Sequence, residues 1–272
     1  MDYACPHCKR PVRADAAGLR CPACGKTYPI ADGIPDFLGE DLARSADPEL
    51  RRMRFIDRMA RIYETPLWYP IVLKLFGGLR SPTPADLIRI AAADVRGVEG
   101  RVLDVACGPG TFGRRVASPL LAVFGIDVSM GMLRQGAAYA AQEGVSERFA
   151  RARVEALPFE DAVFDAVLCC GSLHLFTDTL VALREIARVM KPHAVLSTFT
   201  FGAGRGGLLR FRRMREWYRR NHGLHVFDLS ELKADLSLAG LSDFRPRLDG
   251  SILTFSARKG AAGEIYRSGA CS

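Results

Sequence analysis

The stretch that most constrains the fold is residues 101–113, which read RVLDVACGPGTFG. A short apolar run ends at Asp104, closely spaced glycines follow, and a helix-like pattern then resumes. This order predicts a strand, a tight turn and a helix, because glycine permits positive φ and lets a ligand approach the bare backbone. The N–H groups at the start of such a helix favour an anion.

A second buried strand is predicted at residues 121–127, and it also ends in an acid, Asp127. An acid about 20 residues after the turn can accept hydrogen bonds from the two ribose hydroxyls of an adenosine. The turn lacks a full dinucleotide fingerprint, since Ala106 and Phe112 interrupt the glycine pattern. Taken alone, it is also compatible with other nucleotide sites or with a structural turn.

Three further motifs follow these two in a fixed order. The five motifs are DVACGPG at 104–110, GIDVS at 125–129 followed by Met132 and Leu133, EALPF at 155–159, FDAV at 164–167 and LREIARVMKP at 183–192. In this order they resemble the class I S-adenosylmethionine (SAM)-dependent methyltransferases, and most closely the branch with the ubiquinone and menaquinone methyltransferases. The resemblance implies SAM as cofactor and an in-line transfer of its methyl group.

Strand and helix signals alternate after Val102, which predicts an α/β fold with a parallel sheet covered by helices on both faces. The resemblance implies a Rossmann-like, doubly wound sheet of seven strands that ends in a hairpin around Asp249 and Gly250. Ligands of such sheets bind at the carboxyl ends of the strands, where the motifs fall. The motifs are therefore expected to converge on one crevice.

The resemblance also assigns contacts to SAM. Asp127 would bind the ribose, Val128 and Met132 would flank the adenine, and the turn would hold the methionyl part. The backbone after the fourth strand would meet the amino end. The ten assigned residues are Asp104, Ala106, Gly108, Gly110, Asp127, Val128, Met132, Arg153, Val154 and Cys170.

Arg153 departs from the family pattern, which usually has an acid there that accepts from the adenine amino group. An arginine side chain has no acceptor. Either Arg153 points away and a neighbouring carbonyl serves, or adenine binding is altered, while the amide of Val154 can still donate to the ring.

His174 follows the fourth strand and is the candidate catalytic residue. Near neutral pH it can take a proton from a hydroxyl acceptor, and the alternative is a hydrogen-bonded packing histidine. Cys169 and Cys170 are expected to pack as small apolar residues. Asp178 is expected to cap the next helix.

The amino terminus carries two CxxC pairs, Cys5 with Cys8 and Cys21 with Cys24. Four thiolates at this spacing predict a tetrahedral Zn²⁺ site. A redox pair and rubredoxin-like iron are alternatives. With residues 27–38, the pattern resembles the small zinc ribbons that partner methyltransferases. Its role is expected to be structural, as a lid or docking surface.

The chain is thus expected to divide into a zinc ribbon at 1–38, a helical cap or linker at 39–95, a SAM-binding methyltransferase domain at 96–260 and a flexible tail at 261–272. Helical spacing continues through Phe55, Met59, Ile62 and Tyr63 in the cap. Its later aromatic residues, Trp68, Tyr69 and Phe76, either pack against the main domain or contact a flat, apolar acceptor.

A basic insert at 202–224 holds seven arginines and one glutamate, so most of the chain's net charge of +8 lies there. An apolar stripe of Leu208, Phe211, Met214 and Tyr218, which Trp217 can join, runs through it. It is interpreted as a solvated helix covering the acceptor pocket, as a patch for an anionic acceptor or membrane surface, or as an RNA-binding face. His222 and His225 are expected at the pocket mouth.

No apolar run reaches the ~20 residues of a membrane span, and the first residues lack the pattern of a signal peptide. A cytoplasmic location is therefore expected. Cytosolic thiols stay reduced, so the eight cysteines favour metal binding or catalysis over disulfides. The sequence indicates no oligomeric state.

Three functions are compatible with these features. The first is methylation of a small aromatic, quinone-like or otherwise apolar metabolite. The alternative is an RNA methyltransferase that docks through the ribbon and the basic insert, although an Asn-Pro-Pro-Tyr-type motif is missing after the fourth strand. The third is a non-catalytic SAM-binding or ribbon-docking partner.

Overall fold

The structure is a computed structural model that describes residues 3–38, 68–204 and 206–261. The predicted linker, the predicted helix around Met59 and residues 262–272 of the predicted tail lie outside these ranges. None of the described helices combines the length and the hydropathy needed to cross a bilayer.

The amino-terminal ribbon consists of short antiparallel strands. Strands β1 (Arg13–Asp15), β2 (Gly18–Arg20) and β3 (Thr27–Tyr28) form one sheet, and β4 (Ile30–Ala31) and β5 (Ile34–Pro35) form a hairpin. Helices α1 (Trp68–Gly77) and α2 (Pro84–Asp94) follow. A capping box starts α2, since the amide of Asp86 donates to the Thr83 hydroxyl and the amide of Thr83 donates to the Asp86 carboxylate.

Strands and helices then alternate, as the sequence predicts. The elements are β6 (Gly100–Val105), α3 (Thr111–Val116), β7 (Leu121–Asp127), α4 (Met130–Glu143), β8 (Glu147–Arg151), β9 (Phe164–Cys170), α5 (Thr179–Val189), β10 (Met190–Phe201), α6 (Arg212–His222), α7 (Leu229–Leu238), β11 (Leu241–Asp249) and β12 (Ile252–Lys259). Asp178 caps α5 by accepting from the amide of Val181, which confirms its predicted role.

One sheet of seven strands forms the centre of the fold, in the order β11-β12-β10-β9-β6-β7-β8. Strands β10, β9, β6, β7 and β8 run parallel to one another, whereas β12 is antiparallel to both β10 and β11. The predicted sheet and terminal hairpin are confirmed. Strand β10 contains one irregularity, because its register shifts between Met190 and Val195, where His193 has a positive φ.

Both faces of the sheet are buried. On β6, Leu103 and Val105 join one apolar cluster, whereas Val102 joins a second cluster. The alternation arises because successive strand residues point to opposite faces. Helices therefore cover both faces, and the carboxyl ends of β6, β7 and β9 remain as the place where a ligand can enter.

The ribbon packs directly on this core. Cys5, Cys21 and Phe37 belong to the same buried cluster as Phe124 of β7. The amide of Phe37 donates to the carbonyl of Arg151 at 2.9 Å, and Asp36 forms a parallel bridge with the same residue. Because Arg151 ends the edge strand β8, the ribbon covers a sheet edge that would otherwise offer unpaired backbone groups.

The cap and the basic insert pack on each other above β10. In α1, the Tyr69 ring contacts Phe199 and the Phe76 ring contacts Phe201 and Tyr218 of α6. The predicted apolar stripe of the insert is only partly correct. Phe211 and Trp217 are exposed, whereas Leu209 is buried. The reason is that α6 begins only at Arg212, after a 3₁₀ turn at Leu208–Arg210, so one helical phase does not run through the insert.

Candidate functional site

The carboxyl ends of β6 and β7 are joined by hydrogen bonds around Asp127. The amide of Gly108, in the turn after β6, donates to Asp127 Oδ2 at 2.9 Å. The amide of Ser129 donates to Oδ1 at 2.8 Å. Two backbone donors thus orient a largely buried carboxylate, whose oxygens act as hydrogen-bond acceptors. An acid held in this way beside a cavity is suited to accept bonds from the hydroxyls of a ligand.

A cavity of about 110 Å³ lies beside this carboxylate. Seven of the ten residues assigned by resemblance line it, namely Ala106, Gly108, Asp127, Val128, Met132, Val154 and Cys170. A Cβ built on Gly108 meets no protein atom within 4 Å. A side chain at this cavity-lining position would therefore clash with no protein atom, and the feature of the fold that favours glycine here is the φ of +55°.

The other three assigned residues lie outside the cavity lining. Gly110 caps α3 with a φ of +75°, and a Cβ there would meet the side chains of Glu147 and Phe149. Arg153 Nε donates to Glu155 Oε2 at 3.3 Å. Asp104 is buried beneath the turn and accepts from the amide of Gly113 at 2.9 Å. Gly110 and Asp104 thus support the conformation of the turn without lining the cavity.

Burial raises the pKa of Asp104 from 3.8 to about 7, and the charge of Asp127 adds to the rise, whereas the bond from Gly113 and the charge of Arg114 oppose it. The folded protein therefore binds this proton more tightly than the unfolded chain. The resulting stabilisation is fully present below pH ~4 and is lost as the pH rises to ~7.

We expect the variant Asp104→Asn to remove this pH dependence. The amide oxygen can still accept from Gly113, but it carries no charge. The free energy of unfolding should match the wild type near pH 4 and exceed it at pH 8, by at most about 4 kcal/mol for a shift of about three units. Urea unfolding at both pH values measures the difference. A variant that is less stable at pH 8 would show that the ionised carboxylate stabilises the fold.

His174 lies away from the cavity lining. It is buried, its Nδ1 is 3.3 Å from the Thr200 hydroxyl, and its ring packs on Phe201. Burial, with a smaller contribution from His225, lowers the pKa of His174 to about 3. These surroundings favour the packing interpretation over a catalytic base. The amide of His225 donates to the carbonyl of His174, and the side chain of His222 lies outside the described residues.

The segment after β9, which the resemblance assigns as a whole to the amino end of SAM, contributes Gly171, Ser172, Leu175 and Phe176 to the lining. Glu155 of the EALPF motif also lines the cavity, although no role of its own was predicted for it from the sequence. A signal was available, because both segments follow strand ends on the ligand side of the sheet. Cys169 is buried as expected, and burial raises its pKa to about 12, which keeps the thiol neutral.

The four amino-terminal cysteines form one cluster whose sulfur atoms all lie within 4.8 Å of one another. The Cys5–Cys24 and Cys8–Cys21 sulfur distances are 3.6 and 3.4 Å, so the close contacts cross between the two CxxC pairs. A tetrahedral site with Zn–S bonds near 2.3 Å has sulfurs about 3.8 Å apart. The arrangement fits one shared ion better than two separate redox pairs.

The ribbon is linked by hydrogen bonds to the walls of the cavity. Arg151 pairs with Asp36 of the ribbon at 3.0 Å, and its Nε donates to the carbonyl of Val128 at 2.9 Å. Lys9 pairs with Glu185, which accepts from the amide of Leu157 at 2.9 Å. The first chain of contacts ends at Val128, which lines the cavity. The second ends at Leu157, two residues after the lining residue Glu155.

Residues 102–193 match the family model described as "Methyltransferase domain". This part of the chain, about a third of its length, therefore resembles a methyltransferase domain. The match spans β6 to the first part of β10 and includes every residue that lines the cavity. The match supports the predicted activity class, and the fold around the matched residues is the Rossmann-like one that the sequence predicts.

Two curated relatives extend the comparison. The chain is 26% identical to an uncharacterized chloroplastic methyltransferase of Arabidopsis thaliana, At2g41040, over 94% of this chain and 78% of that protein. It is 35% identical to the demethylmenaquinone methyltransferase of Corynebacterium kroppenstedtii, over 37% of this chain and 42% of that enzyme. The second match thus covers less than half of that enzyme's length.

Solved structures share the fold of the methyltransferase domain. A phosphoethanolamine N-methyltransferase of Haemonchus contortus, in complex with SAM, has a TM-score of 0.61 at 18% identity and covers 78% of this chain and 59% of that one. The [4+2]-cyclase SpnF has a TM-score of 0.56 at 23% identity and covers 65% of this chain and 81% of its own. Because SpnF is named as a cyclase, this fold alone does not fix the reaction.

Proposed function

We propose that the protein transfers the methyl group of SAM to a small apolar acceptor of aromatic or quinone-like character. The observation that carries the proposal is Asp127, whose anchored carboxylate faces a cavity beside the open side of Gly108. The demethylmenaquinone methyltransferase among the relatives supports an acceptor of this class.

The lining residues suit the parts of SAM, which supplies a methyl group activated on a sulfonium. Asp127 accepts from the ribose hydroxyls, and Val128, Met132 and Val154 offer apolar walls to the adenine. Burial raises the pKa of Cys170 well above its usual value, so this thiol in the cavity lining is neutral. A thiol that stays protonated is a poor nucleophile and does not compete for the methyl group.

Helix α1 is well placed to position the acceptor and to exclude water. A Cβ built on Gly171, which lines the cavity, would lie 3.3 Å from the Tyr69 hydroxyl and 2.7 Å from the Phe199 ring. The cap thus reaches the cavity wall with an aromatic side chain. In-line displacement gains most of its rate from such positioning. Since His174 is buried with a low pKa, no base is assigned.

Turnover tests the proposal directly. The purified chain, SAM with a tritiated methyl group, and a panel of phenols and demethylated quinones should yield labelled product in the organic phase, and an Asp127→Ala variant should yield none. Binding of S-adenosylhomocysteine, measured by calorimetry, is the companion experiment. If that ligand does not bind to the wild type, the assignment of SAM as the cofactor is wrong.

Adenine recognition falls to Glu155 in this proposal. Glu155 lines the cavity and lies two residues after Arg153, the position at which the family pattern has its acid. Arg153 Nε donates to the Glu155 carboxylate. The ion pair orients a side chain that accepts bonds, so the arginine supports the recognition that it cannot perform itself.

We expect Glu155→Ala to weaken binding of S-adenosylhomocysteine about tenfold or more, because a hydrogen bond to a charged group is lost. Binding of S-inosylhomocysteine, which has an oxygen in place of the amino group, should change little. Glu160→Ala, which removes an exposed acid nearby, is the matched control. Equal losses for both ligands would contradict the assignment.

A structural Zn²⁺ held by Cys5, Cys8, Cys21 and Cys24 is the second part of the proposal. The sulfur spacing and the crossing contacts support it. RNA methylation remains the second candidate, because five arginines of α6 accompany a single glutamate. Transfer of tritium to RNA in place of the small acceptors would favour that candidate.

A further inference from the structure

A second cleft, of about 880 Å³, opens between α1, the start of the basic insert and the turn that joins β11 to β12. Its described lining contains no acidic residue. Apolar side chains are contributed by Leu75, Leu79, Leu208, Phe211 and Leu248, and cationic ones by Lys74, Arg80 and Arg210. We call this lining, together with Ile71 one turn before Leu75 and with α6, the basic–apolar surface.

Large apolar side chains are unusually exposed on this surface. The exposed fraction is 89% for Leu79, 58% for Ile71, 49% for Leu75 and 48% for Phe211. Single exposed apolar residues are common on proteins, but a contiguous group of them marks an interaction site. All except Ile71 border the same cleft, so these side chains can contact a single binding partner at the same time.

Positive charge surrounds these side chains. Helix α6 has five arginines and one glutamate, a net charge of +4 within 11 residues, and the glutamate is paired with Arg212. Trp217, which is 48% exposed, is four residues from Arg213 and three from Arg220, so the three share one helix face. Basic residues beside exposed aromatic and aliphatic groups are typical of elements that lie on a bilayer.

We propose that the basic–apolar surface docks on an anionic lipid bilayer. Leu79 and Phe211 enter the interface, while Arg80, Arg210 and the arginines of α6 contact the lipid phosphates and carboxylates. Charge complementarity argues for this partner, since the lining is cationic without a compensating acid. Nucleic acid would match the arginines, but it stacks on aromatic rings and gains little from the exposed aliphatic groups Ile71, Leu75 and Leu79.

Docking would bring the membrane close to the cofactor cavity. The cleft is bordered by residues that follow the carboxyl end of β10, and the cavity lies at the carboxyl ends of β6, β7 and β9 in the same sheet. Helix α1 reaches towards both: Leu75 lines the cleft, and the Tyr69 hydroxyl would lie 3.3 Å from a Cβ built on Gly171 of the cavity lining. A lipid-soluble acceptor could then pass from the bilayer along α1; this last step rests on the proposed function, whereas the docking does not.

Co-sedimentation of the full chain with vesicles tests the inference. The wild type should bind vesicles of phosphatidylcholine mixed with phosphatidylserine and should bind pure phosphatidylcholine weakly. Arg213→Glu with Arg220→Glu should reduce binding at least about 30-fold, because each basic residue near the surface contributes roughly fivefold. Leu79→Ser with Phe211→Ser should reduce it at least about tenfold through lost apolar insertion.

A matched control removes two exposed bases of the ribbon, Arg13→Glu with Lys26→Glu, and should leave vesicle binding within about twofold. Binding of S-adenosylhomocysteine by each variant shows that the fold is intact. Equal losses in the control would overturn the inference in favour of unspecific charge attraction. So would absence of vesicle binding by the wild type, or binding of single-stranded RNA that depends on Arg213 and Arg220 while vesicle binding does not.

Discussion

Replacing Asp127 by alanine is expected to abolish measurable binding of S-adenosylhomocysteine. The carboxylate is the acceptor proposed for both ribose hydroxyls, and hydrogen bonds to a charged group contribute about 1.5–3 kcal/mol each. Loss of two such bonds corresponds to a decrease in affinity of about 10²–10⁴. The same change deprives the amides of Gly108 and Ser129 of their acceptor, so the turn itself should loosen. Calorimetry measures the affinity.

Two companion variants separate ligand recognition from folding. Asp127→Asn keeps an uncharged acceptor and should lose less affinity than the alanine variant. Asp228→Ala removes the acid that caps α7 by accepting from the amide of Ser230, which should cost about 1 kcal/mol of stability and leave ligand affinity unchanged. If Asp127→Ala binds the ligand within about threefold of the wild type, less than any lost charged hydrogen bond would cost, the ribose assignment is wrong.

Removal of the metal from the cysteine cluster is the second change with a large expected effect. Cys21→Ser should lower the zinc content from one ion per chain to none and should strongly lower the midpoint of thermal unfolding. The ribbon is too small to fold on its own core, so ion binding supplies much of its folding free energy. Its loss would expose Tyr28 and Phe37, which pack in the main cluster.

The metal should also affect the distant cofactor cavity. Without an ordered ribbon, Asp36 no longer holds Arg151, whose Nε donates to the carbonyl of Val128. We therefore expect Cys21→Ser to weaken binding of S-adenosylhomocysteine. Asp36→Asn should produce a smaller loss with the zinc content unchanged.

His7→Ala is the matched control for the metal site, since His7 is exposed between Cys5 and Cys8 and lies outside the cluster. It should keep the ion and the stability. Elemental analysis by mass spectrometry distinguishes zinc from iron. A Cys21→Ser variant with unchanged metal content and thermal stability would rule out the proposed site.

Local patterns explain how much of the fold was predictable. The strand, turn and helix at 101–113 lie within one short segment, and their glycines and apolar run specify the conformation with few distant contacts. The spacing of the four cysteines is equally local. The parallel order of β6, β7 and β9 followed from alternation, because parallel strands need helical crossovers.

Side-chain placement was less predictable. The sequence shows that Arg153 departs from the family pattern, but only the structure shows that Glu155 is its partner and lines the cavity. The position of His174 after β9 allows either a catalytic base or a packing residue, and the contacts with Thr200 and Phe201 of β10 favour packing. In the basic insert, a 3₁₀ turn before α6 shifted the apolar phase and left Phe211 exposed.

The sequence by itself determined the class of fold, the cofactor turn, the acid after the second strand of the sheet and the cysteine cluster, because each is encoded in a short segment whose residues act on their own backbone. Only the tertiary structure decided that the ribbon covers the edge of β8, that His174 is buried and that the basic–apolar surface is exposed to solvent. These features depend on contacts such as that between Lys9 and Glu185, residues far apart in the chain, whose meeting is set by packing of the whole molecule.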